Sequence, residues 1–378
     1  MPYAGRVTYD ADSHLMELGD WLAGYADPGV RERLRPLALG GAGRLAADAV
    51  RAAEARRGDV AKARALEGEL LTAKGWHALG AFDPAERSRA LDLLGFDAQL
   101  VFSTFAATQF AGDDLELLYG GVRAHNRAMA DFCAGDRRLL AVGLVPWGDP
   151  ERTAGAADEA IRLGCRAILV PSAPQGALSP THPAYDPFWA RLQDAGVPFV
   201  VHIGGGGRPL RRVFHANGVP VTDFLGGGEN VRAKDYMVLH QPPEAFLSCV
   251  VLDGVLERFP RLRGGSIEQG AMWVVPWLRR LDICQRSFQR TEPALRLPLA
   301  ASDYVRRQLR FTPFPTEPVG WMIEQAGREL FLFSSDYPHP EGTKDPLGRF
   351  EASLAGVDED AKDRFYRRNF AELMGWPA

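Results

Sequence analysis

The chain has 378 residues, of which 46% are hydrophobic and 24% charged, with a formal net charge of −4. That length suits one large domain carrying insertions, and the apolar share argues against global disorder. The slightly acidic balance gives no reason to expect nucleic acid or an anionic membrane as a partner, and no apolar run reaches the roughly 18 residues of a membrane span.

The first residues, MPYAGRVTYDAD, hold no apolar signal core, so a cytoplasmic location is expected. Cys133, Cys165, Cys249 and Cys284 are scattered without a CxxC pair, and Cys165 and Cys249 lie in apolar runs and read as small core side chains. Short apolar runs then alternate with amphipathic stretches, the pattern of parallel βα units. Strands are predicted at Arg6–Asp12 (β1), Ala98–Ser103 (β2), Leu139–Pro146 (β3) and Arg166–Pro171 (β4). They continue at Pro198–His202 (β5), Leu262–Glu268 (β6), around Leu309–Thr312 (β7) and at Glu329–Ser335 (β8). Helical patterns are plainest at Leu115–Ala134, Thr153–Leu163, Pro187–Ala195 and Glu244–Phe259. Eight such units fit a single α/β domain over 1–378, a (β/α)8 TIM barrel, with a doubly wound sheet as the alternative.

Two stretches exceed ordinary loop length. Trp21–Leu94, between β1 and β2, reads at its centre (Arg44–Gly75) as one or two exposed helices, a cap or part of a subunit contact. Gly204–Gln241, directly after β5, is glycine-rich and then polar, and its place over the active-site face of a barrel suggests a lid.

Residues of the types that bind metals gather at the predicted C-terminal strand ends, where barrels place their sites. On β1, alternation would send Asp10, Asp12 and His14 to one side, with Glu17 following. His202 closes β5, Glu268 closes β6, and β8 runs into Asp336 and His339. Each alone has a structural explanation: a hydrogen-bonded histidine, or an aspartate at a turn or helix cap. Their convergence on one mouth points instead to a metal. Asp12, His14, His202 and Asp336 make a mixed set that suits one divalent ion, Zn²⁺ or Mn²⁺. The stretch RAILVPSA at β4 has no lysine that could be carbamylated to bridge a second ion.

DADSH at Asp10–His14, PFVVHIGG around His202, GVLERFPRLRGGSIEQGAMWVVPWLRRLD at Gly254–Asp282 and SSDYPHPEG at Ser334–Gly342 together resemble the amidohydrolase superfamily. The branch they are most similar to contains aminocarboxymuconate semialdehyde decarboxylase. The resemblance implies a barrel with ligands at Asp12, His14, His202 and Asp336, and commonly a homodimer. A carboxylate at Asp12 leans toward decarboxylation, whereas Glu268 departs from the histidine usual on strand 6 of the characterised decarboxylases. Two activities therefore stay open. In the first, a small aromatic or unsaturated carboxylic acid loses CO₂, with Asp336 or Glu268 delivering the proton and Arg208 or Arg211 holding a second anionic group. In the second, metal-activated water hydrolyses an amide, lactone or related bond. Glu17 is expected to steady His14 or substrate, while His240 and His339 are expected at the mouth. A non-catalytic barrel is the third reading.

Overall fold

The computed structural model describes residues 6–377 apart from 38, 40–41, 58, 175, 208–209 and 220–230. Seven strands form one curled parallel sheet in simple chain order, β1 to β7. They are β1 (Tyr9–Leu15), β2 (Ala98–Ser103), β3 (Leu139–Leu144), β4 (Ala167–Leu169), β5 (Phe199–His202), β6 (Gly264–Ile267) and β7 (Leu309–Phe311). Parallel neighbours that are also consecutive need a crossover at every step, and crossovers of one hand curl the sheet one way. The architecture is consistent with the TIM barrel expected from the sequence.

Strand side chains alternate between two apolar layers. Ala11, Leu100, Phe102, Leu140, Val200 and Ile267 pack together on the inner side. Val101, Ala141, Phe199 and Val201 face the helices on the other.

The predicted eighth strand is not a regular strand, although its residues lie where one belongs. Leu330, Phe331, Leu332 and Phe333 are fully buried. On one side Phe311 N–H donates to the Leu330 carbonyl and Leu332 N–H to that of Phe311; on the other, Ala11 N–H donates to Phe333. The ladder is broken because two N–H groups are diverted. Phe333 donates to the Phe365 carbonyl at 3.0 Å, and Ser335 donates to the Asp10 carboxylate at 2.8 Å.

β1 starts and ends three residues later than its sequence pattern suggested, so the whole DADSH motif lies within it. Its register against β2 slips between Asp10 and Ser13. Such a bulge cancels strict alternation. Asp10 therefore sides with Gln99 and the helical layer, while Asp12 and His14 turn to the mouth. The expectation that all three share one side is corrected by this bulge.

In the segment between β1 and β2, helix Ala42–Arg56 buries a stripe of Ala42, Ala46, Ala49 and Ala53, whereas helix Val60–Gly68 buries nothing. The predicted helix Glu244–Phe259 is two helices, Gln241–Leu252 and Val255–Arg258, divided at Gly254 with φ +74°. A left-handed residue ends a helix, and glycine adopts it without a steric penalty. Cys249 is exposed rather than part of the core. Among the described residues no helix is long and apolar enough to cross a membrane.

His125, on helix Leu115–Cys133, is enclosed between Ser103 Oγ (2.8 Å) and Asn126 Oδ1 (2.9 Å). Burial pushes its pKa down to about 4. The unfolded chain thus takes up the proton first, so stability is retained above the ordinary histidine range and lost as pH falls from about 6.5 toward 4. We expect wild type to lose about 2 kcal/mol between pH 7 and pH 5 that a His125→Gln variant keeps. Urea unfolding of both proteins at the two pH values measures this; parallel losses would refute it.

Candidate metal centre

Six side chains from distant parts of the chain meet where β1, β5 and β6 end. Asp12, His14, His202 and Glu268 offer donor atoms that all lie within 4.8 Å of one another, and so do His14, Glu268, Asp336 and His339. Asp12 Oδ1 lies 3.3 Å from the Nε2 atoms of both His14 and His202. Glu268 Oε2 is 3.1 Å from His202 Nε2 and 3.6 Å from His14 Nε2, and Asp336 Oδ1 is 3.7 Å from His14 Nε2. His339 stacks on His14 with ring centres 3.8 Å apart and places Nδ1 2.9 Å from Asp336 Oδ1.

The backbone aims the carboxylates. Glu268, just past β6, and Asp336, just past the closing segment, both have φ +54°, and no other non-glycine residue among those described has positive φ. Each such residue costs on the order of 1 kcal/mol or more, so surrounding contacts must hold it. Glu268 N–H donates to Thr312 Oγ1 (2.8 Å), and Asp336 N–H to the Asp12 carbonyl (3.0 Å).

Three carboxylates thus converge in a buried space. Burial, reinforced by the charges of Asp336 and Asp12, raises Glu268 well above the usual carboxylate range. Burial acts upward on Asp12 too, but with no cation present, protons shared with the facing His14 and His202 nitrogens outweigh it and hold Asp12 well below that range.

The donors fit a divalent cation on their own chemistry. His202 Nδ1 lies 3.1 Å from the Ile203 carbonyl, which can only accept, so Nδ1 carries a hydrogen and Nε2 is the nitrogen that faces Asp12 and Glu268, open there to a proton or a cation. Thr104 Oγ1 donates to the Leu15 carbonyl (2.9 Å) and is left to accept from His14 Nδ1 (3.4 Å) and His339 Nε2 (3.0 Å). That turns the His14 Nε2 lone pair toward the carboxylates as well. His14 Nε2 and Glu268 Oε2 are buried without a hydrogen bond of good geometry. Lone pairs and carboxylates facing each other at 3–4 Å repel unless protons or a cation lie between them.

The other sequence candidates fall elsewhere. The Glu17 carboxylate accepts from the backbone N–H groups of Thr104, Phe105 and Ala106 at 2.9–3.1 Å, capping the turn after β2 instead of touching His14. His240 is outside the cluster, 3.7 Å from Glu244 and stacked against Trp273. Arg211 is exposed at the start of the short turn Arg212–His215, and Arg208 lies outside the described residues, as do residues 209 and 220–230 of the expected lid. Trp273 and Trp277 pack on Phe311.

Two neighbours of the cluster went unread in the sequence. Thr104 directly follows β2, a position that a scan of all strand ends would have examined. Lys74 comes from the β1–β2 segment, where no periodicity marks it. Its Nζ donates to the Thr343 carbonyl (3.3 Å), and burial lowers its pKa against the attraction of Asp336 and Glu341. Because Thr104 fixes the His14 tautomer, Thr104→Val is expected to weaken manganese binding about 10–100-fold. Chelator competition measures this, and an unchanged dissociation constant would remove Thr104 from that role.

The sequence matches the family described as Amidohydrolase over residues 9–376. The chain belongs to the amidohydrolase family. No curated protein matches it. Among solved structures, this amidohydrolase is similar to an amidohydrolase from Mycobacterium avium subsp. paratuberculosis, with 22% identity, a TM-score of 0.74 and coverage of 98% of this chain and 100% of that one. It is also similar to the 5-carboxyvanillate decarboxylase of Novosphingobium aromaticivorans, solved with manganese and 4-hydroxy-3-methoxy-5-nitrobenzoic acid (18% identity, TM-score 0.65, 99% and 97% covered). A third is the dihydroxybenzoic acid decarboxylase of Polaromonas sp. JS666, with manganese and 2-nitroresorcinol (17% identity, TM-score 0.64, 98% and 97% covered). At these identities the likeness establishes the shared fold.

Proposed function

We propose that this amidohydrolase is a metal-dependent, non-oxidative decarboxylase of a small aromatic or unsaturated carboxylic acid. The observation that carries the reading is the buried cage of Asp12, His14, His202 and Glu268, with Asp336 and His339 at its side. Two of its fold relatives decarboxylate aromatic acids and were solved with manganese, which supports manganese or zinc here and an acid of that class as substrate. We read 1–378 as one (β/α)8 barrel in which the irregular segment Glu329–Ser335 fills the place of the eighth strand, with the segment 21–94 as a cap and a homodimer as the assembly.

In this reading Asp12, His14, His202 and Glu268 hold the ion, and Asp336 moves from the ligand set to the proton side. When bound, the cation supplies the positive charge that anchors the substrate carboxylate and a neighbouring hydroxyl. Asp336 delivers a proton to the carbon bearing the carboxylate; that carbon's bond to CO₂ then breaks and its electrons return to the ring. His339, 2.9 Å from Asp336, replaces the proton. Lys74, drawn toward Asp336 by charge, is assigned to a second anionic group of the substrate, with Arg208 or Arg211 of the segment after β5 as the alternative taken from the sequence.

A hydrolase is the second reading, favoured by the same placement of Asp336, which also suits deprotonation of a water. Assay of the manganese-loaded and zinc-loaded protein on a panel of hydroxybenzoates tests both. Oxygen-independent CO₂ release supports the first. Label from ¹⁸O-water appearing in the products of amides or lactones, with no CO₂ from any acid, would replace it with the second.

A further inference from the structure

Behind the donor cluster lies a polar group that the proposed chemistry does not use. Arg87, on helix Pro84–Leu94, is fully buried and meets β1 from the helical side of the sheet. Its Nε donates to the Gly80 carbonyl (2.8 Å), Nη1 to Gln99 Oε1 (3.3 Å), and Nη2 to the carbonyl of His14. The guanidinium also stands 5.2 Å from the ring centre of Tyr337, the residue after Asp336. Gln99 carries the contact onward, its Nε2 donating to Asp10 Oδ2 at 2.7 Å. The same carboxylate accepts from the Ser335 N–H (2.8 Å), the Ser335 hydroxyl (2.6 Å) and the Asp12 N–H (3.2 Å). One continuous chain, Arg87–Gln99–Asp10, therefore fastens the backbone beside Asp12, at His14 and next to Asp336.

A buried guanidinium is costly, and none of the acceptors that Arg87 touches is a carboxylate. Apolar side chains of the same volume commonly serve stability as well or better, so stability alone gives no reason for this charge. The network's distinctive effect is geometric. It ties strand β1 to a segment more than 300 residues away at the point where both present donors. Groups that orient donors from behind govern how well a cage fits its ion.

We propose that Arg87, Gln99 and Asp10 are positioning residues that fix the placement of the Asp12 and His14 donors, and with it the affinity of the cluster for its cation, while holding Asp336 beside them. This rests on the reading of the cluster as a cation site.

The test uses full-length protein stripped with a chelator and titrated with manganese against a chromogenic competitor. Wild type is compared with Arg87→Met, Arg87→Lys, Gln99→Leu and Asp10→Asn, and the melting temperature of each stripped protein is recorded alongside. Arg87→Met and Gln99→Leu are expected to bind manganese about 10–100-fold more weakly. Arg87→Lys is expected to recover part of that loss. If Arg87→Met does not fold, Gln99→Leu carries the comparison, since it breaks the same chain without removing the charge. Variants with wild-type manganese affinity, whatever their melting temperatures, would overturn the proposal and leave the network a structural support. Wild type that binds neither manganese nor zinc would overturn the cation-site reading itself, an outcome separate from unchanged variants.

Discussion

Replacing Glu268 by glutamine should abolish most of the stabilisation that manganese or zinc confers and should remove the share of stability that the cation-free protein loses as pH rises through the range of this carboxyl. In the cation-free cage, burial and the charges of Asp336 and Asp12 raise Glu268 well above its ordinary range. A carboxyl raised in the folded state lends stability while it stays protonated, and that stability drains away as pH climbs from the unfolded value through the folded one. Glutamine mimics the protonated form at every pH. Cation-free wild type should therefore lose melting temperature as pH rises above the ordinary glutamate value of 4.5, and Glu268→Gln should not lose that part. With cation present the order reverses. An ion at 1,000 times its dissociation constant stabilises by about 4 kcal/mol, and a variant binding 100-fold more weakly keeps only about 1.4 kcal/mol. Thermal melts at pH 5, 7 and 9, with chelator and with manganese, read both effects. If manganese raises the melting temperature of the variant as much as that of wild type, Glu268 holds no cation.

The second large effect is expected at Asp336. Asp336→Asn leaves the shape of the site and the cage of four intact but removes the group assigned to proton delivery. The turnover number should fall about 10³-fold, within the range typical of a lost acid–base group. Metal content by plasma mass spectrometry, about one ion per chain, should stay as in wild type. Activity within tenfold of wild type would dismiss Asp336 as the proton donor. Loss of the ion together with activity would return it to the ligand set, where the sequence alone had placed it.

Much of this arrangement was legible in the amino-acid order, for physical reasons. Apolar runs such as FVVH in β5 and AQLVFS in β2 cannot stay in water, and their spacing announced βα repeats. Polar residues ending such runs marked Asp12, His14, His202, Glu268 and Asp336 as convergent. Departures came where a side chain answered to a neighbour distant in sequence. Asp10 followed the alternation rule on paper, yet the bulge turned it toward Gln99 and Ser335. Glu17 was a plausible partner for His14 until three backbone N–H groups after β2 claimed it. Arg87 and Lys74 carry no periodic signal, because their significance lies wholly in the carbonyls they reach. The apolar run Glu329–Ser335 announced an eighth strand, but the segment is irregular because of the Phe365 carbonyl and the Asp10 carboxylate.

The segment between β1 and β2 divides sharply in how firmly it is held. Gly75 N–H donates to the Pro338 carbonyl (2.8 Å), Tyr337 Oη donates to the Leu79 carbonyl (2.6 Å), and Met16 N–H donates to that of Ala81 (2.8 Å). Residues 75–81 are thus stitched to the very turn that carries Asp336 and His339. Helix Val60–Gly68, by contrast, has no buried residue. Natural variation and deliberate engineering should therefore act unequally along the segment. The outer helix can be shortened, exchanged or fused to another domain, leaving the chemistry undisturbed, whereas an insertion of even one residue between Gly75 and Ala81 would be felt at the reacting carbon.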